Sequence, residues 1–349
     1  MSTLLRELSL RLPGNRETRI LVGSGLATRL PEHVAALGAS RVFVVVDQAV
    51  HDLHPGLVPT KWPRFLLAGG EAAKNFGTLE RLLRALAQAE MDRNAVLAAV
   101  GGGSIGDLAG LAASLYLRGI DFVQVPTTLL AMVDSSVGGK TAINLREGKN
   151  LVGTFWSPRL VLADVDLVQS LPAEQLRSGL AEALKMGIGF CSELFELMSD
   201  RRDPILAATP ELLVEVVTAA VQSKIAAVEA DPLEQNGRRC CLNLGHTLGH
   251  ALEAHSDYTV LHGHSVARGL HFAVQLAQRR RLMSRDQAVR CHQLLEGYGF
   301  QETALPPADE LLPYLARDKK MQDGRLHVVL PTGIGACRTV PMDLSELFT

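Results

Sequence analysis

The feature that most constrains the fold is a glycine-rich turn between an apolar run and a helical pattern. Residues 96–100 form a continuous apolar run that predicts a buried strand, and residues 105–116 have the spacing of a helix. Between them, Gly101, Gly103 and Gly106 match the pattern G-x-G-x-x-G. Glycines let the backbone approach a pyrophosphate, and a helix N-terminus offers N–H donors. The turn predicts a dinucleotide site; a tight strand–helix turn without a ligand is the alternative for this motif alone.

Further patterns in the first half of the chain favour an α/β domain. A polar turn at residues 69–75 and a Pro-Thr-Thr segment at residues 126–128 each follow a predicted strand, which favours a ligand across the carboxyl edge of one sheet. Alternation of strands and helices predicts a Rossmann-like, mainly parallel sheet covered by helices. The predicted strands are residues 42–46, 65–67, 96–100 and 122–125, and residues 78–89 form a further predicted helix.

The second half of the chain has mostly helical periodicity. Its proline-containing stretch at residues 306–313 interrupts the helical pattern, and residues 326–330 predict a late strand. We therefore predict an NAD-binding α/β domain at residues 1–170 and a helical, metal- and substrate-binding domain at residues 171–349. The predicted helical stretches are residues 172–200, 210–230, 243–255, 263–282 and 285–298.

Composition narrows the class of protein and its partners. The 349 residues are 47% hydrophobic and 21% charged, which is enough to bury a core without disulfides. Lys plus Arg number 35 against 37 acidic residues, so the net charge of −2 gives no general attraction to nucleic acid or to anionic membranes. Five cysteines without a CxxC pair favour reduced thiols. The N-terminus lacks a signal-peptide core, so we expect a cytoplasmic protein.

Several polar residues have the spacing of a metal and phosphate site. Glu182 and Lys185 share a helix face, as they also would in a structural ion pair. His246 and His250 are four residues apart, a usual spacing for metal ligands, although capping or core histidines have it too. One carboxylate and two imidazoles would leave an open position on Zn²⁺. Basic side chains that together could neutralise a phosphate and a carboxylate are Lys140, Lys149, Arg239, Lys319 and Lys320.

Taken in order, these segments resemble 3-dehydroquinate synthase over nearly the whole chain. The resemblance implies conversion of 3-deoxy-arabino-heptulosonate 7-phosphate to 3-dehydroquinate with phosphate release, in the shikimate route to aromatic amino acids. It also implies NAD⁺, a divalent metal (zinc, with cobalt possible) and a homodimer. The segments that carry it are residues 101–107, 126–130, 133–144, 149–150, 178–185, 243–250 and 262–263.

The resemblance also implies a role for individual residues. The metal ligands would be Glu182, His246 and His262. Positions that match NAD contacts are Asp47, Glu71, Lys74, Gly103, Ser104, Ile105, Gly106, Asp107, Thr127, Thr128, Lys140, Lys149, Leu167 and Ser170. Positions that match catalytic, substrate-contacting residues are Asp134, Lys140, Asn150, Lys185, Lys224, Arg239, Asn243, His250 and Lys319.

The chain departs from the family at three positions. His264 stands where the family usually has Glu, Met186 where it usually has Tyr, and Gln235 where it often has an acid. If His262 and His264 lie at a helix start, their side chains diverge by about 200° around the axis. We therefore predict that His264 is not a metal ligand.

Three alternatives remain beside 3-dehydroquinate synthase. Related cyclases of secondary metabolism act on sedoheptulose 7-phosphate, glucose 6-phosphate or an amino substrate, but those for the first two change the groups that meet the substrate carboxylate. Iron-type alcohol or glycerol dehydrogenases share the glycine turn and should lack residues 134–140 and 149–150. A non-catalytic paralogue would have no reason to keep three metal ligands.

Overall fold

The computed structural model describes residues 5–13, 16–234, 237–316, 321–322 and 324–348. The chain divides into two compact units. The first unit comprises Met1–Pro172 with Leu213–Val221, and the second comprises Ala173–Leu212 with Gln222–Thr349. In the part of the chain that is described, each helix is too short or too polar to span a bilayer. All five cysteines are free thiols.

The first unit contains a seven-stranded sheet with helices between its strands. Only its edge strand β1 is antiparallel to its neighbour; the other strands run parallel. Its elements are β1 (Leu5–Leu12), β2 (Arg16–Gly23), α1 (Leu30–Ala36), β3 (Val42–Asp47), α2 (Gln48–Leu53), β4 (Arg64–Leu67), α3 (Phe76–Gln88), β5 (Val96–Gly101), α4 (Gly103–Leu115), β6 (Asp121–Pro126) and β9 (Leu160–Asp164), with a separate hairpin of β7 (Lys140–Leu145) and β8 (Gly148–Phe155). The α/β fold class is confirmed.

The order of strands fixes where a ligand can bind this sheet. The order is β1-β2-β9-β6-β5-β3-β4, so the chain leaves β3 on one side to form β4 and then returns on the other side to form β5. Open α/β sheets bind ligands at the carboxyl ends of strands beside such a reversal. The apolar strands hold this edge in place, because their side chains and those of Leu79, Leu82 and Leu86 on α3 form one buried cluster.

The second unit is mainly helical, as predicted. Its helices are α5 (Ala173–Gly189), α6 (Ser192–Asp200), α7 (Arg202–Leu206), α9 (His246–His255), α10 (His262–Arg279), α11 (Arg285–Gly297) and α12 (Ala308–Leu315), and α8 (Pro210–Ala230) has its middle in the first unit. A three-stranded antiparallel sheet accompanies them, made of β10 (Met321–Gln322), β11 (Arg325–Gly333) and β12 (Ala336–Met342).

Three details of the second half differ from the sequence prediction. The stretch 172–200 is two main helices, because Cys191 adopts extended backbone and its Sγ caps α6 by accepting from the Leu194 amide. The stretch 306–313 contains the start of a helix, α12. Leu311 and Leu315 are buried on one face of α12, and burying two leucines contributes about 3–6 kcal/mol, which offsets the roughly 3 kcal/mol cost of Pro313. The late strand is one of three.

Candidate active site

The glycine turn lies at the carboxyl end of β5, and its first and last glycines, Gly101 and Gly106, are closely packed. A Cβ on Gly101 would lie 2.7 Å from Cγ1 of Ile105 and 3.2 Å from Cβ of Asp47. A Cβ on Gly106 would lie 2.6 Å from Oε1 of Gln124, on neighbouring strand β6. The N-cap residue Gly102 has no side chain to cap α4, so the first turn presents backbone. A bare helix N-terminus in a glycine cradle fits a pyrophosphate.

Lys74 connects several of the residues predicted to contact NAD⁺ or substrate. Its side chain is 2% exposed, and its Nζ donates to Oδ2 of Asp107 at 2.7 Å and to Oδ1 of Asn150 at 2.5 Å. Glu71 Oε1 lies 3.8 Å from the same Nζ, and Glu71 Oε2 accepts from Asn144 at 2.7 Å. A buried ammonium thus joins α4 to the β7–β8 hairpin at the end of the sheet.

The other predicted residues of the first unit lie at or near the same edge of its sheet. Asp47 ends β3, and its side chain caps α2. Thr127 is buried, and its backbone amide donates to the Gly101 carbonyl. The Ser104 hydroxyl accepts a hydrogen bond from the Gly70 amide. Ser170 donates to the Leu167 carbonyl at 2.9 Å. The glycine turn includes Gly103 and Ile105, and Thr128 borders it. Asp134 lies in a π-helical turn at Ala131–Ser135. Lys140 begins β7, and Lys149 lies in β8.

The second unit brings Glu182, His246 and His262 together from three helices. One ligand atom from each lies within 4.8 Å of the others. Nε2 of His246 is 3.4 Å and Nε2 of His262 is 3.2 Å from the same carboxylate oxygen, Oε1 of Glu182. Glu182 is fully buried; its Oε2 forms an ion pair with Nζ of Lys185, the structural pair that their helix spacing also allowed, and its Oε1 faces the two imidazoles. A buried carboxylate facing two imidazoles is a donor set that suits a divalent ion such as Zn²⁺.

The electrostatics of this group favour positive charge at its centre. Burial raises the pKa of Glu182, but the Lys185 ammonium and the two imidazoles outweigh burial, so its pKa lies well below the usual range. Burial lowers the pKa of His246 to about 3, which leaves that imidazole neutral. Burial also lowers the pKa of His262, but two carboxylates, Glu182 and Glu253, raise it to about 10. The residues present therefore fit a bound cation.

Glu253 is a residue that the sequence prediction missed. Its carboxylate is 3% exposed, and Oε1 lies 2.7 Å from Nδ1 of His262. A carboxylate on the second ring nitrogen fixes the tautomer and orientation of a metal-binding histidine. The available signal was the position of Glu253 on α9, seven residues after His246 and so on the same helix face.

We expect Glu253→Gln to weaken metal binding by about 10–100-fold, the usual effect of losing such an outer carboxylate. The amide keeps the size of the side chain and loses its charge. Competition with a chromophoric chelator measures the affinity, and Glu310→Gln, which alters the exposed partner of His255 at 2.8 Å, is the matched control. Equal affinity of Glu253→Gln and the unaltered protein would exclude this positioning role.

Close contact between α9 and α10 places His246 beside His262. A Cβ on Gly269 of α10 would lie 1.8 Å from the carbonyl oxygen of Gly245, which precedes His246 with a φ of +77°. A Cβ on Gly263 would lie 2.1 Å from the Ser178 carbonyl oxygen on α5. Because these contacts are with backbone, a side chain cannot be accommodated by a change of rotamer.

Gly269→Ala should therefore destabilise the protein by about 1–3 kcal/mol or more, the range for overpacking of a close-packed interior. Urea unfolding followed by circular dichroism measures the loss. Gly56→Ala is the control: a Cβ at Gly56 would meet no atom within 4 Å, and its φ is not positive, so this change should alter stability little. Equal midpoints for Gly269→Ala and Gly56→Ala would contradict the close contact.

The predicted substrate-contacting residues of the second unit are mostly buried. Lys185, Lys224 and Arg239 are 1%, 7% and 2% exposed, which is unusual for cations and requires partners. Arg239 donates from Nη1 to the Pro232 carbonyl at 2.7 Å. Asn243 ends a 3-10 helix, and the exposed His250 places its ring 5.2 Å from the ring of His246. Lys319 lies outside the described residues, as does Gln235.

His264 is directed away from the three ligands. Its ring packs edge-on against Phe300 with centroids 5.3 Å apart, and its Nε2 lies 3.2 Å from Oε2 of Glu174 without hydrogen-bond geometry. Because α10 begins at His262, the two rings leave the helix in different directions. The observed contacts support the prediction that His264 is not a ligand, which stays a prediction for the metal-bound protein.

Comparison with known proteins agrees with the resemblance. Family models described as 3-dehydroquinate synthase N-terminal and C-terminal match residues 64–178 and 179–321. The chain is 41% identical to 3-dehydroquinate synthase of Rhodospirillum rubrum, with 92% of this chain and 88% of that protein covered. It is 39% identical to the enzyme of Haemophilus ducreyi, with 90% of each covered. The chain belongs to the 3-dehydroquinate synthase family.

Solved structures extend this family relationship to other cyclases. A 2-deoxy-scyllo-inosose synthase complexed with carbaglucose-6-phosphate, NAD⁺ and Co²⁺ superposes with a TM-score of 0.88 at 25% identity, with 98% of each chain covered. A 2-epi-5-epi-valiolone synthase of Streptomyces hygroscopicus with NAD⁺ and Zn²⁺ bound gives 0.86 at 29% identity, with 94% of each chain covered. A probable glycerol dehydrogenase of Sinorhizobium meliloti, with a TM-score of 0.68, is 16% identical and shares the fold.

Proposed function

We propose that this member of the 3-dehydroquinate synthase family is itself a 3-dehydroquinate synthase. It would cyclise 3-deoxy-arabino-heptulosonate 7-phosphate to 3-dehydroquinate with release of phosphate, in the shikimate route. The observation that carries the proposal is the convergence of His246 and His262 on Oε1 of the buried Glu182. In a chain about 40% identical to curated 3-dehydroquinate synthases, this is the arrangement such an enzyme needs.

NAD⁺ and a divalent metal are the proposed cofactors, with zinc favoured and cobalt a substitute. Structures of related cyclases contain NAD⁺ with Zn²⁺ or Co²⁺. When bound, the ion supplies a Lewis acid for the substrate hydroxyls, and NAD⁺ supplies a hydride acceptor that is restored in each turnover. We assign NAD⁺ to residues 1–170, with the glycine turn against its pyrophosphate, and the metal and most of the substrate contacts to residues 171–349.

Buried cationic side chains of the protein would bind the charged groups of the substrate. Three buried cations would neutralise the phosphate and carboxylate of the substrate: Lys224, Arg239 and Lys185, which is also ion-paired with Oε2 of Glu182. A low-dielectric setting strengthens such pairs. The contact of Arg239 with the Pro232 carbonyl fixes the guanidinium before the substrate arrives. Lys74 holds Asn150 and Asp107 in place in the same preorganised manner. The chief task of these residues is to select one conformer of a reactive sugar phosphate.

The remaining assignments follow from the family and from composition. We propose a homodimer, since the family is commonly dimeric. We propose the cytoplasm as its location, because five free thiols fit a reducing compartment. A small sugar phosphate is the proposed partner, with neither nucleic acid nor a membrane surface as a ligand.

Substrate choice is the sharpest test, because related cyclases act on other sugar phosphates. The NAD⁺- and Zn²⁺-loaded protein is incubated separately with 3-deoxy-arabino-heptulosonate 7-phosphate, sedoheptulose 7-phosphate and glucose 6-phosphate, and released phosphate is measured. We expect release from the first substrate alone, because only that substrate has a carboxylate to pair with a buried cation. Preferential release from either of the others would assign the protein to a cyclase of secondary metabolism.

A further inference from the structure

The second unit contains another group of metal-ligating side chains that the proposed function does not use. It is made of His271 on α10, His292 on α11 and Glu302 in the segment after α11. One ligand atom from each lies within 4.8 Å of the other two. Among the described residues, this group and Glu182–His246–His262 are the two in which three such side chains converge.

The hydrogen bonds of His271 prepare one ring nitrogen to bind a ligand. The ring is 2% exposed, and its Nε2 lies 2.8 Å from the Phe300 carbonyl oxygen, which can only accept. Nε2 therefore carries the proton, and in the neutral ring Nδ1 presents a lone pair. A backbone carbonyl on the far nitrogen is the usual support of a metal-binding histidine.

His292 and Glu302 complete the set around that nitrogen. Nδ1 of His292 lies 2.6 Å from Nδ1 of His271, and the two rings are 17° from coplanar, so the nitrogens point at each other and share a proton. A bound ion would take the place of that proton and move the two nitrogens apart. The Glu302 carboxylate is exposed and accepts from the Gln275 amide, so it is anchored and can be reached from solvent.

One charge opposes a cation here. Arg268 lines the same cavity, but its Nη2 donates to the Ala304 carbonyl at 2.8 Å. Glu302 is the one acid among the residues that line this cavity, because the rest of the lining adds no further charge: His271, Phe272, Gln275, Thr303 and Leu305.

We propose that His271, His292 and Glu302 bind a second divalent ion of the zinc class, separate from the catalytic one. Two imidazoles and one carboxylate are ligands that Zn²⁺ favours. His271 is nine residues after His262 on α10, which separates the two sites by about 13 Å along the helix axis. The ion would join α10, α11 and the segment after α11, so its role is to stabilise the second unit.

Counting bound zinc tests the proposal without reference to turnover. The full-length protein is stripped with a chelator, titrated with Zn²⁺ alone against a chromophoric competitor, and analysed for metal by mass spectrometry. We expect two zinc ions per chain, one in His246→Ala, one in His292→Ala, and none in the double variant. Glu302→Gln, an exposed substitution that should leave the fold intact, is expected to weaken the second site by more than about tenfold.

The control removes a histidine that has a carboxylate partner but belongs to neither three-ligand group. His255, whose Nε2 is 2.8 Å from Oε2 of Glu310, meets this condition, and His255→Ala should still bind two ions. One zinc ion in the unaltered protein, two in His292→Ala, or none in His246→Ala would show that the two histidines share a proton and bind no metal. Because the count does not depend on activity, this result leaves the proposed function untouched.

Discussion

His246→Ala is expected to lose the catalytic divalent ion and to lower turnover by at least about a thousandfold, since Lewis-acid stabilisation is worth several kcal/mol. His246 contributes one of two imidazoles that face Oε1 of Glu182. Without the His246 imidazole, only His262 and Glu182 remain as ligands, which is too few to hold the ion tightly. The neutral state of His246 in the folded protein means that removing it deletes a ligand without deleting a charge.

Metal content at that site and phosphate release are measured on the same preparation, with far-ultraviolet circular dichroism to establish folding. His255→Ala, on the same helix, is the control and should keep both metal and activity. A folded His246→Ala variant with undiminished metal at the catalytic site would show that the ligands are other residues.

Gly103→Asp should weaken NAD⁺ binding by well over tenfold, because it places a carboxylate where the pyrophosphate approaches the start of α4. Two negative charges in a desolvated site repel each other by several kcal/mol. By contrast, a helix N-terminus without a bound ligand is stabilised by an acidic side chain, by about 1 kcal/mol. The clash is therefore with the ligand, and the helix itself should tolerate the change. Fluorescence titration or calorimetry with NAD⁺ measures the affinity.

Gly103→Ala separates charge from bulk at this position. Its Cβ would lie 2.8 Å from Oγ of Ser135, the end of a small side chain that can rotate away. We expect the alanine variant to bind NAD⁺ within a fewfold of the unaltered protein. If a folded Gly103→Asp variant binds NAD⁺ as the alanine variant does, the pyrophosphate does not lie at this turn.

Local patterns predicted the first half of the fold well. The apolar runs at residues 42–46, 96–100 and 122–125 became β3, β5 and β6, within one residue at each end. These strands are buried on both faces, so hydrophobicity alone marks them. The β1–β2 and β7–β8 hairpins were not predicted, because β1, β7 and β8 are partly exposed and lack a continuous apolar run.

Prediction of the site succeeded where a motif carried the residue and failed where packing did. Glu182, His246 and His262 came from the resemblance, and the structure brings them together. Glu253 was missed, because a buried acid on a helix looks like a surface acid until the opposing His262 is known. Gly269 was missed for the same reason, since its role depends on the backbone of Gly245. His250, which shares a helix face with His246, is not in the three-ligand group.

One turnover measurement tests the central claim most directly. The zinc- and NAD⁺-loaded protein is given 3-deoxy-arabino-heptulosonate 7-phosphate, and phosphate, 3-dehydroquinate and NADH absorbance are followed together. A 3-dehydroquinate synthase must release phosphate and 3-dehydroquinate in equal amounts while NADH does not accumulate, because the hydride returns to the substrate in every cycle. NADH that accumulates with turnover would indicate a dehydrogenase on the same fold, and a folded, metal-loaded protein that releases no phosphate would contradict the assignment.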